Sequence, residues 1–333
     1  MSFRFEINKA IHLLIFSVHS LGGKAPFHKL CSLLYLADIR HLMQYGIPML
    51  GDTYLSTKNG IFPFNILSIY KQLKGEGFFN DFAFNFSEYF SLNEDLELQS
   101  LTPYNEGYIA VSEATCLFET IREHKQVSHE HLSDKIMDYA WQHANRNSEV
   151  SYEDIALAKD AAPEFRDYIR QSRENECYSF YERDESGHAV KITSGNGLAS
   201  ANRALPGIQP GALLLHRDMS GDAGACFMVA GFSYGAYALA RIYRPEELPL
   251  SIRQHSFLGE LFVAAAGMPG TETAVFADCS RLSFRHFRDV RAWLKKHPDA
   301  YIGDLPFHET DRIIKKIGAA PVIPGKVKRE YNL

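Results

Sequence analysis

The sequence predicts an α+β protein in two parts: a mainly helical first half with a small β element, and a second half that is α/β. Three observations carry this. Apolar residues recur at helical spacing through most of residues 7–144. From residue 177 onward short apolar runs replace that period, separated by stretches rich in Gly, Ser and Pro. The length, 333 residues, is about twice that of an ordinary domain, so two domains are expected, at 1–175 and 177–333.

Each element has a local reason. Residues 7–21 keep helical spacing and stop at Gly22-Gly23, a glycine ending. Pro26 stands where a first-turn proline belongs, and 27–45 runs as a second helix with Leu30, Leu34 and Ala37 on one face. Gly46 closes it in the position that favours a left-handed residue. Residues 52–58 read as extended chain leading into an Asn59-Gly60 turn, and a third helix follows at 64–73, stopped by Gly75 and Gly77. The alternation of Phe82, Phe84 and Phe86 predicts a strand within 80–100, with 96–101 as its partner. Helices are predicted at 112–123 and 128–144. Ser151, three residues before Asp154, is expected to cap the segment 151–158. The charged stretch 162–176 forms a last helix and linker.

In the second half, 177–181 and 189–193 flank Asp184-Glu185-Ser186-Gly187 as a hairpin. Residues 195–210 read as a long loop. Apolar runs at 212–215 and 226–230 precede a helix near 251–266. The finish alternates: strand 274–277, helix 283–297, strand 300–302, helix 308–317, strand 321–323. Such alternation predicts a parallel α/β unit.

Composition bounds the function. With 46% hydrophobic, 13% aromatic and 23% charged residues, the chain has enough apolar material to offset the entropy of ordering. No run approaches the roughly 20 apolar residues of a membrane span, and the best stretch, 11–18, is interrupted by His12. The start carries Glu6 and no small-residue cleavage site, unlike a secretory signal. Five cysteines, odd in number and never in CxxC spacing, argue against disulfides or a zinc ribbon. A soluble cytoplasmic protein without a membrane partner is expected. The net charge of −5 divides unevenly: residues 1–176 hold 16 Lys and Arg against 24 Asp and Glu (−8), residues 177–333 hold 19 against 16 (+3). That asymmetry concerns partners rather than fold.

Residues 29–63 read KLCSLLYLADIRHLMQYGIPMLGDTYLSTKNGIFP. The glycines allow tight turns, and Pro48 and Pro63 set entry angles, so two loops are held over the second helix. Tyr35, Tyr45 and Tyr54 offer apolar bodies with polar tips, while Asp38, Asp52 and Lys58 are candidates for a polar cluster tying loops to helix. This ordered set of residues resembles the Panacea domain, the SocA-like antitoxin family. Leu132-Ser133, Trp141 and Ser151-Tyr152-Glu153-Asp154-Ile155 are similar to that family's C-terminal helical segment. The resemblance spans about residues 1–175. It implies a binding module that neutralises a toxin by direct contact and, in some relatives, delivers it to a protease. The implied partners are therefore a protein toxin or another prophage or defence protein, and a protease. Tyr35, Asp38, Tyr45, Asp52, Tyr54 and Lys58 are the candidate partner-binding residues.

The second half offers three catalytic alternatives, of which one, an ADP-ribosyltransferase-like toxin domain using His216 and Tyr234 or Tyr243, has no ordered motif behind it. Gly231-Phe232-Ser233-Tyr234-Gly235 has the G-x-S-x-G form of a nucleophile elbow, in which a strained turn between strand and helix exposes the serine. Asp278 and Asp304 each follow a predicted strand, where two carboxylates can hold a divalent metal for phosphoryl chemistry. Against Ser233, about fifty residues are too few for the strands that normally precede an elbow, and Pro245 shortens any following helix. Against the aspartates, no upstream carboxylate is placed, and solvated capping aspartates are the plainer reading. No cofactor or metal is expected. The last 49 residues hold 11 basic and 6 acidic side chains, but the acids are interleaved and no nucleic-acid recognition motif accompanies them. The leading reading is an antitoxin-type regulator whose second half supplies partner specificity. The alternative is a fused protein whose second half is a toxin-like or hydrolytic enzyme restrained by the first.

Overall fold

In the first unit the chain collects around one long helix, Phe27–Tyr45, which is buried on most of its faces, polar Ser32, Asp38 and His41 included. The computed structural model describes residues 3–76, 84–177, 182–183, 189–190, 208–216, 224–233, 235–265 and 274–333. The chain divides into two units, Met1–Arg173 and Glu174–Leu333. Helix and strand are mixed as the sequence predicts: helices with small sheets in the first unit, a larger sheet in the second.

Helix α1 (Ile7–Ser20) ends where expected, with Gly22 and Gly23 at φ +106° and +93° and their N–H groups donating back to His19 and Val18. Strand β1 (Lys24–Pro26) leads into α2 (Phe27–Tyr45), for which Pro26 is the N-cap residue rather than a first-turn residue. Gly46 closes α2 at φ +68°, and Leu30, Leu34 and Ala37 are fully buried. The hairpin β2 (Tyr54–Thr57) and β3 (Gly60–Pro63) turns at Lys58-Asn59 and runs straight into α3 (Phe64–Leu73).

The aromatic stretch departs from expectation. Phe82 lies outside the described residues, Phe84 is half-buried, and Phe86 sits in a single 3-10 turn. The strands come later, β4 (Phe90–Leu92) and β5 (Glu97–Ser100), and β5 pairs with both β1 and β4. Helix α4 (Val111–His124) packs on α1 and α2. The expected helix 128–144 is two helices, α5 (His129–Ile136) and α6 (Tyr139–His143). Met137 leaves helical geometry, and the Asp138 side chain accepts from the N–H groups of Ala140 (3.1 Å) and Trp141 (3.4 Å), which starts a new helix. Strand β6 (Glu149–Val150) joins the edge of the β2–β3 sheet. Ser151 caps α7 (Tyr152–Leu157) by accepting from Asp154 N–H at 3.0 Å, and α8 (Pro163–Cys177) follows.

In the second unit β7 (Glu182–Arg183) and β8 (Ala189–Val190) pair as a hairpin; of the expected first strand, 177–181, Cys177 ends α8 and 178–181 lie outside the described residues, as do 184–188 and 191–193. Strands β9 (Ala212–His216), β10 (Ala225–Ser233) and β11 (Ala236–Tyr243) form the centre of the large sheet. The helix expected near 251–266 is short, α9 (Leu250–Arg253), followed by a 3-10 turn and β12 (Phe262–Ala265). Gly259 sits against the Arg253 carbonyl, too close for a side chain, so the chain folds back instead of continuing as helix. Then come β13 (Val275–Asp278), β14 (Ser283–His286), α10 (Phe287–Lys296), β15 (Tyr301–Asp304), α11 (Phe307–Ala319) and α12 (Gly325–Tyr331). Residues 321–323, expected as a strand, form the turn between α11 and α12.

The strand order is β12-β13-β11-β10-β9-β15, with β14 pairing the first part of β11. Every pairing described is antiparallel, which corrects the parallel unit expected from the alternation of strands and helices. The reason is visible in β10, where seven successive residues are buried because α10 packs on one face while α11 and α12 reach the other. Continuous burial produces the same unbroken apolar runs that a parallel strand shows. No helix among the described residues is long and apolar enough to cross a membrane.

Candidate functional site

The residues singled out in the first unit converge on one buried carboxylate. Asp38 lies on α2 and is 1% exposed. Its Oδ1 accepts from the N–H groups of Met49 and Leu50 (3.0 Å), and its Oδ2 from the hydroxyls of Tyr54 (2.8 Å) and Tyr152 (3.2 Å). One side chain thereby holds the loop after α2, strand β2 and helix α7. Burial raises the Asp38 carboxyl to about 6 against the lowering effect of its donors from Leu50, Tyr54 and Met49.

Asp52, also buried, does for α3 what a capping residue does, but from outside the adjacent sequence. Its Oδ1 accepts from Asn65 N–H (2.9 Å) and Asn65 Nδ2 (2.8 Å), and its Oδ2 from Ile66 N–H (3.1 Å). Burial raises this carboxyl to about 7 despite those donors. The Tyr152 hydroxyl lies 3.0 Å from the Asp52 carbonyl as well as against Asp38, so it bridges the two aspartates' segments. A hydroxyl has one proton. Tyr152 therefore donates to only one of these two oxygens at a time.

Tyr35 and Tyr54 are buried beside this network, with ring centroids 5.1 Å apart, and Tyr54 faces Tyr152 at 5.7 Å. The Tyr35 hydroxyl donates to Asp138 Oδ2 (3.4 Å), which also pairs with Lys159 (3.1 Å). Trp141 Nε1 donates to the Thr57 carbonyl at 2.7 Å, tying α6 to β2. Tyr45 is half-buried next to His41, and Lys58 is exposed in the β2–β3 turn; neither enters the cluster. The expected cluster of Asp38, Asp52 and Lys58 is thus an aspartate–tyrosine network without the lysine. Tyr152 was missed as a member, although it lay inside the segment similar to the family. Asp138 was missed because its only local signal is a helix start that the pattern ran through.

The second-unit candidates are not assembled into sites. Ser233 ends β10 opposite Ala236, the first residue of β11, so G-x-S-x-G spans a β-hairpin, while an elbow needs a helix after its turn. Both glycines have a conformational or packing reason. Gly235 has φ +88°, and Gly231 abuts the Tyr331 carbonyl too closely for a side chain. Asp278 is fully buried and accepts from Ser280 N–H (2.8 Å) and Oγ (2.5 Å). Asp304 is exposed and accepts from the Tyr301 hydroxyl at 2.6 Å. Strands β13 and β15 are separated by β11, β10 and β9, which is about 19 Å of strand spacing. The pair therefore cannot share one metal ion, and no metal-binding group of His, Cys, Asp or Glu occurs among the described residues. In the basic tail, Arg288 pairs with Asp289, Arg312 with Glu309 and Lys315 with Asp311.

Residues 30–142 match the family model described as antitoxin SocA-like, Panacea domain. The matched stretch runs from within α2 to near the end of α6 and includes Asp38, Asp52, Tyr35, Tyr54 and Asp138. The resemblance of the N-terminal half is thereby shown, and it supports an antitoxin-like role in general terms. Neither the curated proteins nor the solved structures yielded a match.

Proposed function

We propose that this protein is an antitoxin-type regulator that binds and neutralises a protein toxin, or a related prophage or defence protein, by direct contact. The match of residues 30–142 carries this reading. Four of the six candidate contact residues, Tyr35, Asp38, Asp52 and Tyr54, are buried. Their part is to hold the loop after α2 and the β2–β3 turn in one geometry. Lys58, exposed, and Tyr45, half-buried, are the candidates for touching the partner. The second unit supplies partner specificity, and the protein acts in the cytoplasm.

The test is co-expression with the protein encoded beside it. If that neighbour arrests growth and this chain restores it, with the two co-purifying, the reading stands. An inert neighbour, or growth arrest that this chain fails to relieve, defeats it. The alternative of an enzymatic second half gains no support: Ser233 sits in a hairpin, and Asp278 and Asp304 lie on distant strands.

A further inference from the structure

We propose that the cleft between α6 and α7 receives an arginine side chain from the protein partner. This rests on the reading of the first unit as a binding module and names the chemistry it would bind. The cleft is about 240 Å³ and is built on one side by Tyr139, Ala140 and His143 of α6 and by Ala144 just after it, and on the other by Glu149 and Asp154. Small-molecule sites run to roughly 300–1,000 Å³, so this one is the size for a single side chain rather than a cofactor.

Its lining selects among side chains. Tyr139 and His143 stand one helical turn apart with ring centroids 3.7 Å apart and planes at 27°, and Tyr139 is 45% exposed. A stacked aromatic pair offers a flat, electron-rich surface to a planar cation, which favours guanidinium over ammonium. Glu149 and Asp154 are exposed carboxylates facing the same volume. Ser151 Oγ donates to Asp154 Oδ2 at 2.6 Å, and a carboxylate has acceptor capacity for further donors. Carboxylates beside an aromatic face suit the planar, multi-donor guanidinium of an arginine in charge and chemistry.

The walls are held before any partner arrives. Asp138 caps α6 and is tied to Lys159 and Tyr35, Trp141 bonds the Thr57 carbonyl, and Glu149 is registered against Leu55 in the β2–β6 pair. Such preorganisation lowers the entropy cost of binding. The surrounding half carries 24 acidic against 16 basic residues over 1–176, a charge complementary to a basic partner.

The test uses the full chain and three blocked peptides, tetra-arginine, tetra-lysine and tetra-glutamate, titrated calorimetrically. Tetra-arginine is expected to bind more tightly than tetra-lysine, with no heat from tetra-glutamate. The double substitution Glu149→Gln with Asp154→Asn is expected to weaken tetra-arginine by about tenfold or more. Tyr139→Ala is expected to remove the preference for arginine over lysine. Glu94→Gln, at an exposed carboxylate outside the cleft, is expected to change nothing. Asparagine keeps an oxygen that can accept from the Ser151 hydroxyl, and an unchanged melting temperature confirms folding. Equal affinity of tetra-arginine for parent and double variant, equal binding of tetra-lysine and tetra-arginine to the parent, or no binding at all overturns the proposal. Growth rescue without a cleft-dependent arginine preference removes this inference and leaves the antitoxin reading intact; the reverse outcome separates them the other way.

Discussion

The Tyr152 hydroxyl lies 3.2 Å from Asp38 Oδ2 across 114 residues of sequence. That contact brings α7 onto α2 and, through the Asp52 carbonyl, onto the loop that caps α3. The matched region therefore depends on a segment just beyond its own end.

Removing the acceptor at the centre of this network should be costly. Asp38→Ala leaves two buried N–H groups and two tyrosine hydroxyls facing no carboxylate. The expected loss is about 3 kcal/mol or more in urea unfolding of the first unit. Asp38→Asn should cost less, because both tyrosine hydroxyls can rotate to accept from its amide. Tyr152→Phe should cost about 1 kcal/mol, the net worth of one buried hydrogen bond. A first unit indifferent to Asp38→Ala would refute the central role given to this carboxylate.

The raised carboxyls set a direction for pH dependence. With Asp38 at about 6 and Asp52 at about 7, the folded state holds protons that the unfolded state, titrating near 4, has released. Their stabilising effect is complete below the unfolded value and is lost as pH rises through 6 and 7. His41, buried and lowered by desolvation, works the opposite way, stabilising more as its unfolded form loses its proton near 6.5. The clean measurement is a difference. The urea midpoint of Asp52→Asn should gain on that of the parent between pH 5 and pH 8, and a constant gap would contradict the assignment.

Two glycines carry the loops over α2 for steric reasons. A side chain on Gly60, at φ +112°, would meet Ile136 of α5 at 2.7 Å, and one on Gly51, at φ +64°, would meet the Arg4 carbonyl at 2.6 Å. Alanine at either position should destabilise the first unit by about 1–3 kcal/mol. Because Ile136 can shift and a backbone carbonyl cannot, Gly51→Ala should be the worse of the two. Thermal unfolding of both variants decides the order.

In the second unit Ser233→Ala should be neutral or mildly stabilising. Its Oγ is buried and makes no hydrogen bond among the described residues, so the substitution removes an unsatisfied polar atom. Gly231→Ala should destabilise instead, by pushing the Tyr331 backbone off β10. Ester hydrolysis that disappears with Ser233→Ala would revive the catalytic reading of the turn.

What the sequence determined alone was the local grammar of the first half. The bounds of α2 and α3, the glycine that closes α2 and the serine that caps α7 are read from residues within a turn of the feature, and capping chemistry acts at that range. The ordered residues of 29–63 also carry the family resemblance, and residues 30–142 match that family's model. Tertiary structure decided the rest. A run such as 226–230 is apolar whether its sheet is parallel or antiparallel, since burial on both faces removes the alternation that would tell them apart. Likewise Asp38 and Asp52 are legible as members of a polar cluster with Lys58, but only the fold replaces the lysine with Tyr54, Tyr152, Asn65 and Ile66, and Asp278 and Asp304 look like a pair until three strands come between them. Partners far apart in sequence leave no local periodicity, so only the folded chain states which carboxylates share a neighbourhood and which do not.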